Sequence, residues 1–124
     1  MSEKKKNGSS AKLVKEIVTG MQDKKGQNIA VIDLRDISNS ISDYFVVCHG
    51  SSNTNVEAIA DSVEEKTRKQ LGEKPGSTEG KREAEWIVLD YFDVVAHIFK
   101  QDKRELFSIE ELWADADVNF ISEE

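Results

Sequence analysis

Residues 85–100 read EWIVLDYFDVVAHIFK, and this stretch decides the fold. Aromatic and β-branched side chains dominate it, the types that suit a pleated, half-buried surface. The spacing predicts strands over 85–92 and 94–100 around Asp93. So short a connection makes them antiparallel neighbours in a hairpin.

Upstream, Gly72 to Ala84 (GEKPGSTEGKREA) is a polar loop rich in Gly and Pro signals. Before it, Val56, Ile59, Ala60, Val63 and Thr67 keep helical spacing, and Thr54-x-x-Glu57 supplies a capping box. Gly72 ends that helix. Tyr44–His49 (YFVVCH) predicts a central strand covered on both faces. Residues 28–35 (NIAVIDLR) predict its antiparallel neighbour, with Ile29, Val31 and Asp33 on one side and Ala30, Ile32 and Leu34 on the other. Leu13, Ile17 and Met21 recur every four residues, so 11–25 predicts an amphipathic helix stopped at Gly26. Downstream, 105–107 suggest a short strand, and Ser108-x-x-Glu111 opens a last helix that would bury Leu112 and Trp113. The expected architecture is α/β: a mixed sheet of about five strands, one right-handed parallel crossover and helices packed on its faces. Residues 1–10 form a flexible tail in this reading, 11–116 a single domain and 117–124 a frayed acidic tail.

At 124 residues the chain suits one domain. Its 33% charged residues and single Pro exclude collagen-like and Pro-rich disordered classes. No apolar run approaches the ~20 residues that span a bilayer, and the start MSEKKKNGSSAK lacks the apolar core of a secretory signal. With Cys48 as the only cysteine, no internal disulfide can form, and a reducing, cytoplasmic home is expected. The net charge of −7 is unevenly placed. All 17 basic residues lie at or before Arg104 and balance the acids there, so the excess comes from Glu105, Glu110, Glu111, Asp115, Asp117, Glu123 and Glu124. A global electrostatic grip on nucleic acid needs a basic face and is not expected; basic partners are favoured.

Ligand count and spacing bear on three chemistries. Zinc needs about four His or Cys ligands, and the chain has three candidates, of which Cys48 and His49 point to opposite faces of a strand. Gly50-Ser51-Ser52 sits at a strand-to-helix turn where a helix N-terminus could hold an anion. The surrounding CHGSSNT is not the G-x-S-x-G of a hydrolase elbow, and capping is the plainer use of its serines. The same turn resembles that of nucleotidyltransferases, whose Asp-x-Asp pair clamps Mg²⁺ from one strand face. Here Asp90 and Asp93 are three apart, as are Asp33 and Asp36, while Asp115 and Asp117 lie past the final helix. No metal site, cofactor or enzymatic activity is therefore expected. What remains is Trp86–Val94, where aromatic residues alternate with carboxylates as in interface hot spots; the bland alternative is a core strand with a polar turn.

Taken together, the order and spacing of Asp43-Tyr44-Phe45-Val46-Val47, Gly50-Ser51-Ser52, Val56-Glu57-Ala58-Ile59-Ala60-Asp61, Glu79-Gly80, Trp86, Asp90–Phe99, Arg104 and Leu112-Trp113 resemble the ribosomal silencing factor family, also called Iojap-like. The resemblance covers about residues 11–116. It implies a nucleotidyltransferase-like core without the catalytic Asp pair. It also implies a translational repressor that binds ribosomal protein L-fourteen of the large subunit and keeps the small subunit from joining, with neighbouring rRNA within reach and a homodimer as the assembly. Carried over by position, the partner-binding residues would be Trp86, Asp90, Tyr91, Phe92, Asp93, Val94 and His97. At one position the chain departs from the family pattern. Phe92 stands where many members have Gly, and a turn with positive φ suits Gly and not Phe.

Overall fold

The computed structural model describes residues 3–37, 40–107 and 116–121. In chain order the elements are α1 (Glu3–Asp23), β1 (Gln27–Asp33), β2 (Tyr44–Gly50), α2 (Asn53–Leu71), β3 (Ser77–Glu79), β4 (Trp86–Asp90), β5 (Val94–Lys100), α3 (Gln101–Phe107) and β6 (Asp117–Phe120). The strands form one mixed sheet in the order β3-β4-β5-β2-β1-β6. β4 and β5 are the expected antiparallel hairpin, and β1 and β2 the expected antiparallel pair. The expected crossover differs in its partner: from α2 the chain enters β3 and then β4, which is antiparallel to β5, and it is β5, the second strand of the hairpin, that lies beside β2 and parallel to it.

The period of two sorts the strands into faces. Ile29, Val46, Cys48, Ile87, Leu89, Val94, Ala96 and Ile98 meet Leu13, Ile17 and Met21 of α1 and Val56, Ile59, Ala60 and Val63 of α2 in the main core. A smaller cluster on the other face joins Ile32, Leu34, Val47 and Phe99, with Phe45 and Trp86 packed against it. Gly20 has a packing reason within α1. A Cβ there would lie 2.8 Å from the Val63 Cα, and the Ser62 hydroxyl donates to the Gly20 carbonyl at 2.7 Å.

Several boundaries differ from the sequence reading. Helix α1 begins at Glu3, well before residue 11, and ends at Asp23. The left-handed residue after it is Lys25 (φ 64), and not Gly26. Helix α2 is capped by Ser52, whose side chain accepts the Asn55 N–H, and not by Thr54. The loop 72–84 contains the three-residue edge strand β3. Residues 105–107 are the end of helix α3, whose buried Arg104 donates to the Gln27 carbonyl at 3.3 Å and to His49 Nδ1 at 3.1 Å. Part of the expected acidic tail, Asp117–Phe120, pairs antiparallel with β1 as β6. The helix expected at Ser108-x-x-Glu111, with Leu112 and Trp113, lies outside the described residues.

Candidate docking face

The β4–β5 connection is only Tyr91-Phe92-Asp93, and its backbone is closely tied. The Tyr91 N–H donates to the Val94 carbonyl at 2.9 Å and the Asp93 N–H to the Tyr91 carbonyl at 3.0 Å. The Phe92 N–H donates to Asp90 Oδ1 at 2.8 Å. The loop entering β2 braces the same turn. Ser42 Oγ donates to the Phe92 carbonyl at 3.0 Å, and the Asp43 N–H to the Asp93 carbonyl at 2.6 Å. Ser10 of α1 ties in from behind, its hydroxyl 3.0 Å from Asp43 Oδ2. Within this frame Phe92 keeps φ at 80, so the turn retains the conformation that glycine would favour and seats a phenylalanine in it. Such a residue holds about 1–3 kcal/mol of backbone strain. Its ring gains little burial in return, for Phe92 is 64% exposed.

The expected site residues fall into two groups. Trp86, Asp90 and Asp93 are partly exposed and Phe92 is exposed, so these can meet a partner. Tyr91 and Val94 are buried inside the monomer, where they support the hairpin. The Tyr91 hydroxyl is 2.9 Å from Thr67 Oγ1, whose own proton serves a backbone carbonyl, so Tyr91 donates. Burial pushes the Tyr91 phenol up to about 12. His97 is likewise buried, and it holds Trp86: the indole N–H donates to His97 Nδ1 at 3.1 Å. Trp86 also stacks on Phe99 with ring centroids 4.9 Å apart, and Phe45 meets His97 edge-on at 4.7 Å. Burial presses His97 down to about 4, so it is neutral with its proton on Nε2, and that buried atom has no hydrogen-bond partner among the described residues.

Sequence reasoning missed Ile41, which is 75% exposed on the loop beside Phe92. No periodicity marks a lone apolar residue in a Ser-rich turn. Gly80, singled out by the resemblance alone, has a packing role that spacing did not show: its φ is +84, and a Cβ would collide with the Trp86 carbonyl.

Little at this face or at the Gly50-Ser51-Ser52 turn suggests chemistry. Ser52 caps α2, and Asn55 accepts from the Ser51 N–H at 3.0 Å while donating to the Lys24 carbonyl at 3.1 Å. Among the described residues no three His, Cys, Asp or Glu side chains converge on a metal position, and no helix is long and apolar enough to cross a membrane. Cys48 is buried, and that burial pushes its thiol up to about 12, away from the reactive thiolate form.

Known proteins share both the sequence and the shape. A family described as "Ribosomal silencing factor during starvation" matches residues 7–124. Ribosomal silencing factor RsfS of Halalkalibacterium halodurans is 35% identical over 108 residues, covering 87% of this chain and 91% of that protein. The protein of the same name from Bacillus subtilis is 36% identical over 104 residues, covering 84% and 86%. A crystal structure of a Chromobacterium violaceum protein superposes with a TM-score of 0.79 at 30% identity, covering 90% of this chain and 92% of that one. On this match of sequence and fold, the chain belongs to the ribosomal silencing factor family.

Proposed function

We propose that this chain is a translational repressor without catalytic activity, acting in the cytoplasm on the large ribosomal subunit. It binds ribosomal protein L-fourteen and blocks joining of the small subunit by occupying the surface. Family membership supports the ribosomal target. The observation that carries the mode of action is the β4–β5 hairpin, with an exposed Phe92 beside Asp90 and Asp93 at its tip and a part-exposed Trp86 at the other end of β4, opposite Phe99. Aromatic anchors ringed by charge are the anatomy of a protein-binding hot spot, and truncating one typically costs ≥ ~2 kcal/mol. Carboxylates at its rim suit a basic ribosomal protein and raise the association rate. The part of the surface that meets neighbouring rRNA would lie outside this acidic rim. A homodimer would keep the hairpin uncovered.

The test is co-sedimentation with isolated bacterial large subunits, followed by small-subunit addition. Wild-type chain is expected to pellet with large subunits and to reduce their pairing. A folded Trp86→Ala/Asp93→Lys chain is expected to do neither. Unchanged pelleting of that variant would remove this surface from the proposal.

A further inference from the structure

Buried Ser10 ties α1 to the hairpin end of the sheet. Its hydroxyl donates to Asp43 Oδ2 at 3.0 Å, and the Asp43 N–H donates to the Asp93 carbonyl at 2.6 Å. From that tie α1 runs back along the sheet to Asp23, shortly before β1. Residues 3–9 are helical too and lie on the far side of the tie. At ~1.5 Å per residue they carry α1 about 10 Å beyond it, at the end of the molecule where the hairpin turns.

Charge along this helix is one-sided. Residues 4–15 hold five lysines and no Asp or Glu, in a chain whose net charge is −7. Leu13, Ile17 and Met21 are buried in the main core. At about 100° per residue, positions 4, 5, 12 and 15 share the opposite face of α1. Lys12 and Lys15 are exposed there. Positions 4 and 5 join them only because the helix begins at Glu3. The chemistry of that face selects its occupant. A basic ribosomal protein would be repelled by it, whereas a phosphodiester backbone is attracted by lysines without any reading of bases. An interfacial membrane helix would need large apolar side chains, and here only an exposed Ala11 and a half-buried Thr19 stand among the lysines.

We propose that the lysine face of α1, formed by Lys4, Lys5, Lys12 and Lys15, holds the phosphate backbone of rRNA beside the protein that the hairpin docks on. The inference rests on the reading of the chain as a large-subunit binder and adds to it a second, nucleic-acid contact. The hairpin recognises protein, and the lysine face grips the RNA in which that protein is set. Because α1 is packed on the sheet, both contacts belong to one body, and the second forms once the first has fixed the position.

The full-length chain carrying Lys4→Gln/Lys5→Gln/Lys12→Gln/Lys15→Gln keeps good helix formers on a solvent face, so its melting midpoint is expected to match wild type. At about 0.05 M salt its affinity for isolated bacterial large subunits, read by sedimentation, is expected to fall at least ~10-fold. Its affinity for RNA-free ribosomal protein L-fourteen is expected to stay level. Lys→Arg at the same four positions is expected to retain both. Hydroxyl-radical footprinting of large subunits at saturating protein gives a second readout. Wild type is expected to shield a run of rRNA backbone that the glutamine variant leaves open. An unchanged affinity or an unchanged footprint would overturn the lysine face and leave the docking reading standing. An equal loss toward L-fourteen alone would assign the lysines to protein and overturn it as well. So would a loss confined to vesicles of anionic phospholipid. Should wild type itself fail to bind large subunits, both readings fall.

Discussion

His97 carries its proton on Nε2 because Nδ1 accepts the Trp86 indole N–H, and that neutral form is what the pocket stabilises. Burial lowers the group from 6.5 to about 4, whereas in the unfolded chain it keeps the ordinary value. Between those values the unfolded chain binds the extra proton. Stability from neutral His97 is therefore complete above pH ~6.5 and is lost as pH falls toward ~4, with a limiting slope of ~1.4 kcal/mol per pH unit. Urea midpoints between about pH 7 and pH 4.5 check this, and His97→Gln, which keeps an acceptor for Trp86, is expected to flatten the profile over that window. Gly80 serves the same tryptophan from the other side. Gly80→Ala strains a φ of +84 and drives a methyl into the Trp86 carbonyl, so a loss of about 1–3 kcal/mol and a shifted tryptophan emission are expected. Trp86, Asp90 and Asp93 were legible as surface residues because their types stand out on a strand. Tyr91 and His97 were not legible as supports, because their roles depend on Thr67, which is 24 residues from Tyr91, and on a ring geometry that spacing cannot encode.

At the scale of elements, long periodic segments were readable and short paired ones were not. The apolar stripe of α1 and the alternation of β1 announce themselves, while β3 (STE) and β6 (DVNF) are held by backbone pairing at the sheet edges. Exposed three- and four-residue strands have no buried face to leave a pattern. The end of α3 was misread as a strand because its register is set by Arg104 reaching His49 and Gln27, partners from two other elements. The contact of α1 with α2 is close for a reason that composition disguised. Gly20 looks like a helix-weakening residue, yet its missing side chain admits the Val63 backbone. Gly20→Val improves local helix propensity and is nevertheless expected to destabilise the fold by roughly 1–3 kcal/mol, because the added groups must push the helices apart. Denaturant melts would show this directly, and a stabilised variant would contradict the packing account.

Across the whole molecule, the sheet divides the labour. One face is sealed by α1 and α2, and the other gathers Phe45, Trp86, His97 and Phe99 beside the β4–β5 hairpin. The chain's net charge of −7 adds a long-range component to that local geometry. Long-range attraction acts before contact, whereas aromatic burial acts only after it, so the two should separate in kinetics. Raising salt from about 0.05 to 0.5 M shortens the screening length from ~14 Å to ~4 Å, and should slow association with a basic partner while leaving dissociation nearly level. Asp90→Asn/Asp93→Asn should reproduce the effect of salt at low ionic strength and make the rate less salt-sensitive. Asp90→Asn keeps a side-chain carbonyl for the Phe92 N–H, so the turn should survive the change. Trp86→Ala should do the converse, leaving the association rate near wild type and speeding dissociation by about tenfold or more. Stopped-flow association and chase dissociation with large subunits measure both rates. If the tryptophan variant altered only association, Trp86 would be acting through the shape of the free hairpin and not as a buried anchor in the complex.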